Sequence, residues 1–210
     1  TRIVEKAIQW ANEWNDYVKQ NSLGKYEILV NHGSINTYQD EQYLVEPLIR
    51  DYTKFISNTG WINGDRQDRA CRALEAFVHF TYHRSGGNMI VCDLQGRYRA
   101  NQGKRTRFEL TDLAICSRQR NFGPTDMGTK GIESFFAHHS CNQFCACHWQ
   151  QPRSSRAWFV PHEGTTMLSS GMNDHLDPDR SGRFFNTMGP CIETDEYEES
   201  SSSDDDYYRY

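Results

Sequence analysis

The stretch NMIVCDLQG, residues 88–96, is an apolar run that stops on a carboxylate, an amide and a glycine. Met89 to Leu94 has the length and branched apolar content of a buried strand, and the Gly86-Gly87 turn bounds it upstream. Side chains alternate along a strand, so Asp93 and Gln95 are predicted to share one face. A carboxylate and an amide oxygen side by side suit Mg2+, a hard ion that takes oxygen ligands and often shares them with phosphate. A solvated strand end is the competing reading.

Working outward, residues 97–109 are basic and polar and read as an exposed insertion. Leu110-Thr111-Asp112 follows. Asp112 near a metal site suits a group that accepts a hydroxyl proton, while Thr111 or Asp112 before an apolar run equally suits a helix cap. Gly123-x4-Gly128-x2-Gly131, leading into a helix through Ile132, Phe135 and Phe136, could offer free backbone amides to phosphate or to a peptide carbonyl. On the other side, Asp65 is predicted to cap a helix through Ala70, Leu74, Phe77 and Val78. The start of the chain has helical spacing at Ile3, Val4, Ala7, Ile8, Ala11, Trp14 and Val18, with Gly24 as the stop. Tyr26–Val30 and Gln42–Glu46 read as short strands, with a turn over Asn31, Gly33, Ser34 and Asn36 between them.

His139-x-Cys141-x3-Cys145 carries ligand types that zinc prefers, and a closed tetrahedral site needs a fourth. His79 is the candidate, with Cys147 and His148 as competitors. Seven cysteines, an odd number without a secretory leader, argue against a disulfide framework and for a reducing compartment. The expectation is an intracellular, cytoplasmic protein. No stretch approaches the roughly 20 apolar residues of a membrane span. The net charge of −5 is concentrated in the tail: from Glu193 onward there are eight acids and one base, so the body holds 20 acids and 22 bases and is nearly neutral. Neither a nucleic-acid partner nor a membrane partner is indicated. Residues 151–191 read as an irregular extension with docked aromatics such as Trp158 and Phe159, and residues 192–210 as an acidic, Ser-rich disordered tail.

Taken together, AFVHFTYH (76–83), NMIVCDLQG (88–96), LTD (110–112), FGPTDMGTKGIESFF (122–136) and HHSCNQFC (138–145) resemble the alpha-kinases, a family of atypical protein kinases, in that order along the chain. Weaker matches at 7–15 and 43–60 extend the resemblance over about residues 3 to 150. It implies an α+β, atypical protein-kinase-like fold, mainly the C-terminal catalytic lobe with a structural zinc site, over residues 1–150. It implies a serine/threonine kinase that uses ATP and Mg2+ on a protein substrate. Asp93 and Gln95 would be the magnesium ligands and Asp112 the catalytic aspartate, with Thr111 beside it. Glu46 would meet the adenine at the hinge, and Lys54, Asn58 and Asp126 would lie near the nucleotide. His79, His139, Cys141 and Cys145 would bind the zinc. The family's strand-rich upstream lobe, with its phosphate-contacting lysine, has no match: Lys6, Lys19 and Lys25 do not stand in a suitable strand. This departure raises an alternative, a catalytically impaired pseudokinase or zinc-braced interaction module.

Overall fold

The computed structural model describes residues 2–24, 26–63, 69–99 and 105–159. They lie in one compact unit, Thr1–Leu176; a second unit, Asp177–Tyr210, falls outside the described residues. The acidic tail, most of the extension, Lys25 and the Asp65 cap also fall outside them.

Helix α1 (Arg2–Gln20) buries Ala7, Trp10, Ala11, Trp14 and Val18 along one stripe, as the spacing predicts. Helix α2 (Arg69–Arg84) is buried almost all round, from Ala73 to Tyr82. Trp14 packs edge-on against Phe77 and Phe80 of α2, and Trp149 closes the same aromatic cluster. Strand β1 (Tyr26–Val30) is tied to α1 by the Asn15 side chain, which both donates to and accepts from the Ile28 backbone at 2.8 Å.

Four strands form the main sheet, in the order β1-β7-β6-β4. Here β4 is Thr53–Ile56, β6 is Leu94–Arg99 and β7 is Thr106–Thr111. β1 runs parallel to β7, and the other two pairings are antiparallel. Residues 97–109 are therefore not an exposed insertion: 97–99 and 106–109 belong to the two central strands, and Phe108 is fully buried between Tyr26, Phe55 and Tyr98. The charged residues of this segment occupy the opposite face, where Arg97 pairs with Glu109 and Arg107 with Glu27. Composition concealed a strand whose polar half faces outward.

The segment read as a turn at 31–36 contributes to β2 (Ser34–Tyr38), which forms an antiparallel hairpin with β3 (Glu41–Val45). Its turn sits at Gln39-Asp40, where both residues adopt positive φ. A further pair, β5 (Met89–Cys92) and β8 (Ala114–Ser117), lies under α2 and α3 (Gly128–His138). No helix among the described residues is long and apolar enough to cross a membrane.

Candidate active site and metal centre

Asp93 and Gln95 do not share a face by simple alternation. Asp93 has φ 58° and separates β5 from β6, two strands of different sheets. Asp112 has φ 51° and likewise separates β7 from β8. Left-handed backbone is costly for residues with a Cβ, although aspartate bears it better than most. Two such kinks at equivalent points bring the carboxylates together. The Gln95 amide nitrogen donates to Asp93 Oδ2 at 3.1 Å and to the Asp112 carbonyl at 2.8 Å, and it lies 3.4 Å from Asp112 Oδ2. The strand between the kinks needs Gly96: at φ 142° a Cβ there would run into the Glu109 carbonyl oxygen.

Sheet register sets the rest of the row. Lys54 of β4 stands opposite Gln95 of β6, which stands opposite Thr111 of β7. Lys54 Nζ is 2.7 Å from Asp93 Oδ1, an ion pair between a nearly buried ammonium and a fully buried carboxylate. Burial pushes the Asp93 carboxyl up to about 6, and Asp112 pushes the same way; the Lys54 ammonium and the Asn58 backbone N–H hold it down from going further. Asp112 is raised by burial and then by Glu46, with Lys54 opposing. Glu46 accepts a hydrogen bond from the Thr111 hydroxyl. Tyr52, two residues before Lys54, feels both carboxylates, so burial and their charges raise its phenol.

The structure thus gathers Glu46, Lys54, Asn58, Asp93, Gln95, Thr111 and Asp112 around one point. Two close carboxylates, partly desolvated and compensated by one lysine and one amide, form a cation-deficient site of the kind a divalent ion satisfies. The helix-cap reading of Thr111 and Asp112 does not hold, because β8 follows them.

Asp126 departs from expectation. It is fully buried, and its carboxylate accepts from the backbone of Ser117, Phe122 and Gly128 and from the Ser117 hydroxyl, at 2.6–3.2 Å. It is enclosed rather than turned to the cleft. The Gly128 amide, one of those expected to be free for a phosphate or a peptide carbonyl, is spent on this internal carboxylate, as is that of Phe122. The loop still meets the site from beneath, since the Asn58 side chain donates to the Thr125 carbonyl at 3.1 Å.

The second cluster forms as the ligand types suggest. The ligand atoms of His79, His139, Cys141 and Cys145 all lie within 4.8 Å of one another. His79 Nδ1 is 3.2 Å from His139 Nε2 and 3.6 Å from Cys141 Sγ, and Cys145 Sγ is 3.7 Å from His139 Nε2. Cys147 and His148 stay outside it. Burial lowers His79 to about 4, favouring the neutral imidazole that binds metals, while burial raises Cys145 to about 12. Asn142 fastens the loop, donating to the Arg72 carbonyl of α2 at 3.1 Å. Downstream, the Trp158 indole N–H donates to Glu133 at 2.6 Å and its backbone N–H to Ser134, so residues up to 159 strap across α3.

Sequence reasoning missed Tyr52, Glu75 and Asn142. Glu75 alone left a signal: it lies one helical turn before His79.

A kinked sheet presenting paired aspartates, beside a His/Cys cluster, is the architecture of an atypical protein-kinase-like α+β domain. Residues 1–145 match the alpha-kinase family, and the chain belongs to it. It is 38% identical over 96 residues to alpha-protein kinase vwkA of Dictyostelium discoideum, covering 45% of this chain and 14% of that protein. It is 27% identical over 164 residues to eukaryotic elongation factor 2 kinase of Rattus norvegicus, covering 77% and 21%. The matched region therefore spans about a seventh to a fifth of these relatives. Among solved structures, an alpha kinase from Entamoeba histolytica superimposes with a TM-score of 0.55 at 23% identity, over 80% of this chain and 68% of that one. The alpha-kinase domain of myosin heavy chain kinase A in complex with ADP gives 0.53 at 25% identity, over 69% and 55%.

Proposed function

We propose that this chain is the catalytic part of a protein serine/threonine kinase that transfers a phosphoryl group from Mg-ATP to a protein hydroxyl. The observation that carries the reading is the convergence of Asp93 and Asp112 on the Gln95 amide nitrogen, within 3.4 Å. Bound magnesium would neutralise the phosphate charge that develops in transfer. Asp93 would hold it, as would Gln95 after rotation of its amide to present oxygen. Lys54 would give up part of its hold on Asp93 and face the phosphates, supplying positive charge to them. Asp112, its carboxyl raised by burial and by Glu46, is poised to orient the acceptor hydroxyl and take its proton. Glu46 and Thr111, bonded to each other, would position the nucleotide.

His79, His139, Cys141 and Cys145 fit a structural zinc. A tetrahedral ion with these ligands has N–N and N–S edges of about 3.3 and 3.6 Å, against the 3.2, 3.6 and 3.7 Å observed. Four protein ligands close the shell and leave no position for a reacting water.

The test is phosphorylation of a generic basic protein by wild type and Asp93→Ala, with zinc measured in both by elemental analysis. The variant should lose transfer and retain about one zinc per chain. Equal phosphorylation by both would refute the assignment. The pseudokinase reading is favoured by Lys54 already sitting 2.7 Å from Asp93, where a metal would bind. It predicts no thermal shift with Mg-ATP, and a clear shift excludes it.

A further inference from the structure

Glu75 lies in α2 and is 3% exposed. Phosphoryl transfer does not use it. A buried carboxylate is costly unless it is paired, yet among the described residues no lysine or arginine pairs with it. Its partner is the His139 ring, whose Nδ1 is 3.3 Å from Glu75 Oε2. On the other side of the cluster, His79 Nε2 donates to the Gln150 carbonyl at 2.9 Å. Carboxylate and carbonyl oxygens only accept, so each ring carries its proton on the outer nitrogen. The inner nitrogens are then bare and face one another at 3.2 Å, beside two cysteine sulfurs. Opposed lone pairs at that distance call for a cation between them.

We propose that Glu75 is a positioning residue for the metal. It fixes His139 with Nε2 turned inward, and it adds the one negative charge beyond the two thiolates that strengthens this nitrogen as a ligand. The inference rests on the zinc reading above. Its location explains why the charge persists inside a helix core. Glu75 precedes His79 by four residues, so one face of α2 presents a ligand and the anchor of the opposite ligand together. The Gln150 carbonyl anchors the other ring, so the two histidines are held by different chemistry: a fixed backbone dipole for one and a full charge for the other.

The experiment compares wild type, Glu75→Gln and Glu75→Ala. Zinc affinity is measured by competition with a chromophoric chelator, geometry by the visible spectrum after Co2+ substitution, and the His139 tautomer by nitrogen-15 NMR of the zinc form. Glu75→Ala is expected to weaken zinc binding about 10–100-fold, the range typical of losing such an anchor, and to lose the hydrogen-bonded Nδ1 proton signal. Glu75→Gln keeps an acceptor without the charge; it should keep the tetrahedral Co2+ spectrum and the tautomer, with an affinity between the other two. If Glu75→Ala does not fold, Glu75→Gln carries the test through its weaker affinity at unchanged geometry. Zinc bound with equal affinity by wild type and Glu75→Gln, and by Glu75→Ala where it folds, would overturn this proposal while leaving the zinc site intact. A wild type that binds no zinc would overturn both readings.

Discussion

At the scale of residues, two aspartates accept an unfavourable backbone so that their carboxylates can meet. Positive φ at Asp93 and Asp112 costs of order 1–3 kcal/mol each, and burying Asp93 adds a charge penalty that Lys54 only partly offsets. The penalty has a definite sign in pH. Asp93 titrates near 6 in the fold against an ordinary 3.8. Its contribution to stability is thus fully present below about pH 4 and lost as pH rises through about 6. Urea denaturation of the magnesium-free protein should show wild type losing roughly 2 kcal/mol relative to Asp93→Asn between pH 4 and 7. A difference independent of pH would mean that the carboxyl is not raised by the fold. The two positive-φ aspartates were not legible in the sequence. Their residue types were, but a strand reading of NMIVCDLQG runs straight through Asp93, where the chain in fact passes from one sheet to another.

At the scale of elements, helix α1 is the clearest reading and the plainest dependency. Its buried stripe follows from 3.6-residue spacing, and Trp14 at its centre is fully buried against Phe77, Phe80 and Trp149. Trp14→Ala should destabilise the domain by about 3–5 kcal/mol, measured as a lower urea midpoint with an unchanged slope. A loss below 1 kcal/mol would mean that α1 is peripheral. The β6–β7 hairpin is the converse case. Its residues read as a polar insertion because arginines and Glu109 alternate with the few apolar residues that enter the core. Alternation is itself a strand signal, but Arg97, Arg99, Arg105 and Arg107 dominated the composition and hid it.

At the scale of the whole molecule, the His/Cys cluster joins α2 to the loop after α3. That loop delivers Phe144 and Trp149 to the core, where they are 0% and 6% exposed. Loss of the proposed zinc should therefore loosen the aromatic cluster around Trp14 as well as the loop. Treatment with a strong chelator is expected to lower the melting temperature by more than 10 °C, given how much folding energy a structural zinc supplies, and to open the segment around Asn142 to protease first. An unchanged melting temperature after verified zinc removal would contradict this role.

Residue identity and short spacing sufficed for the kinship and for naming candidate ligands and acids. Ligand types at 139, 141 and 145, the acids at 93 and 112, and the ordered motifs that mark an alpha-kinase are properties of residue identity and short spacing. Tertiary structure decided which groups face one another. Lys54, Gln95 and Thr111 form one row only because β4, β6 and β7 pair in that register, and β1 meets β7 across a separation that no local periodicity reports. The same holds for Asp126, which the family resemblance placed near the nucleotide and which four donors enclose instead. Local pattern fixes which face a side chain takes on its own element; burial and partners depend on what the rest of the chain packs against that face.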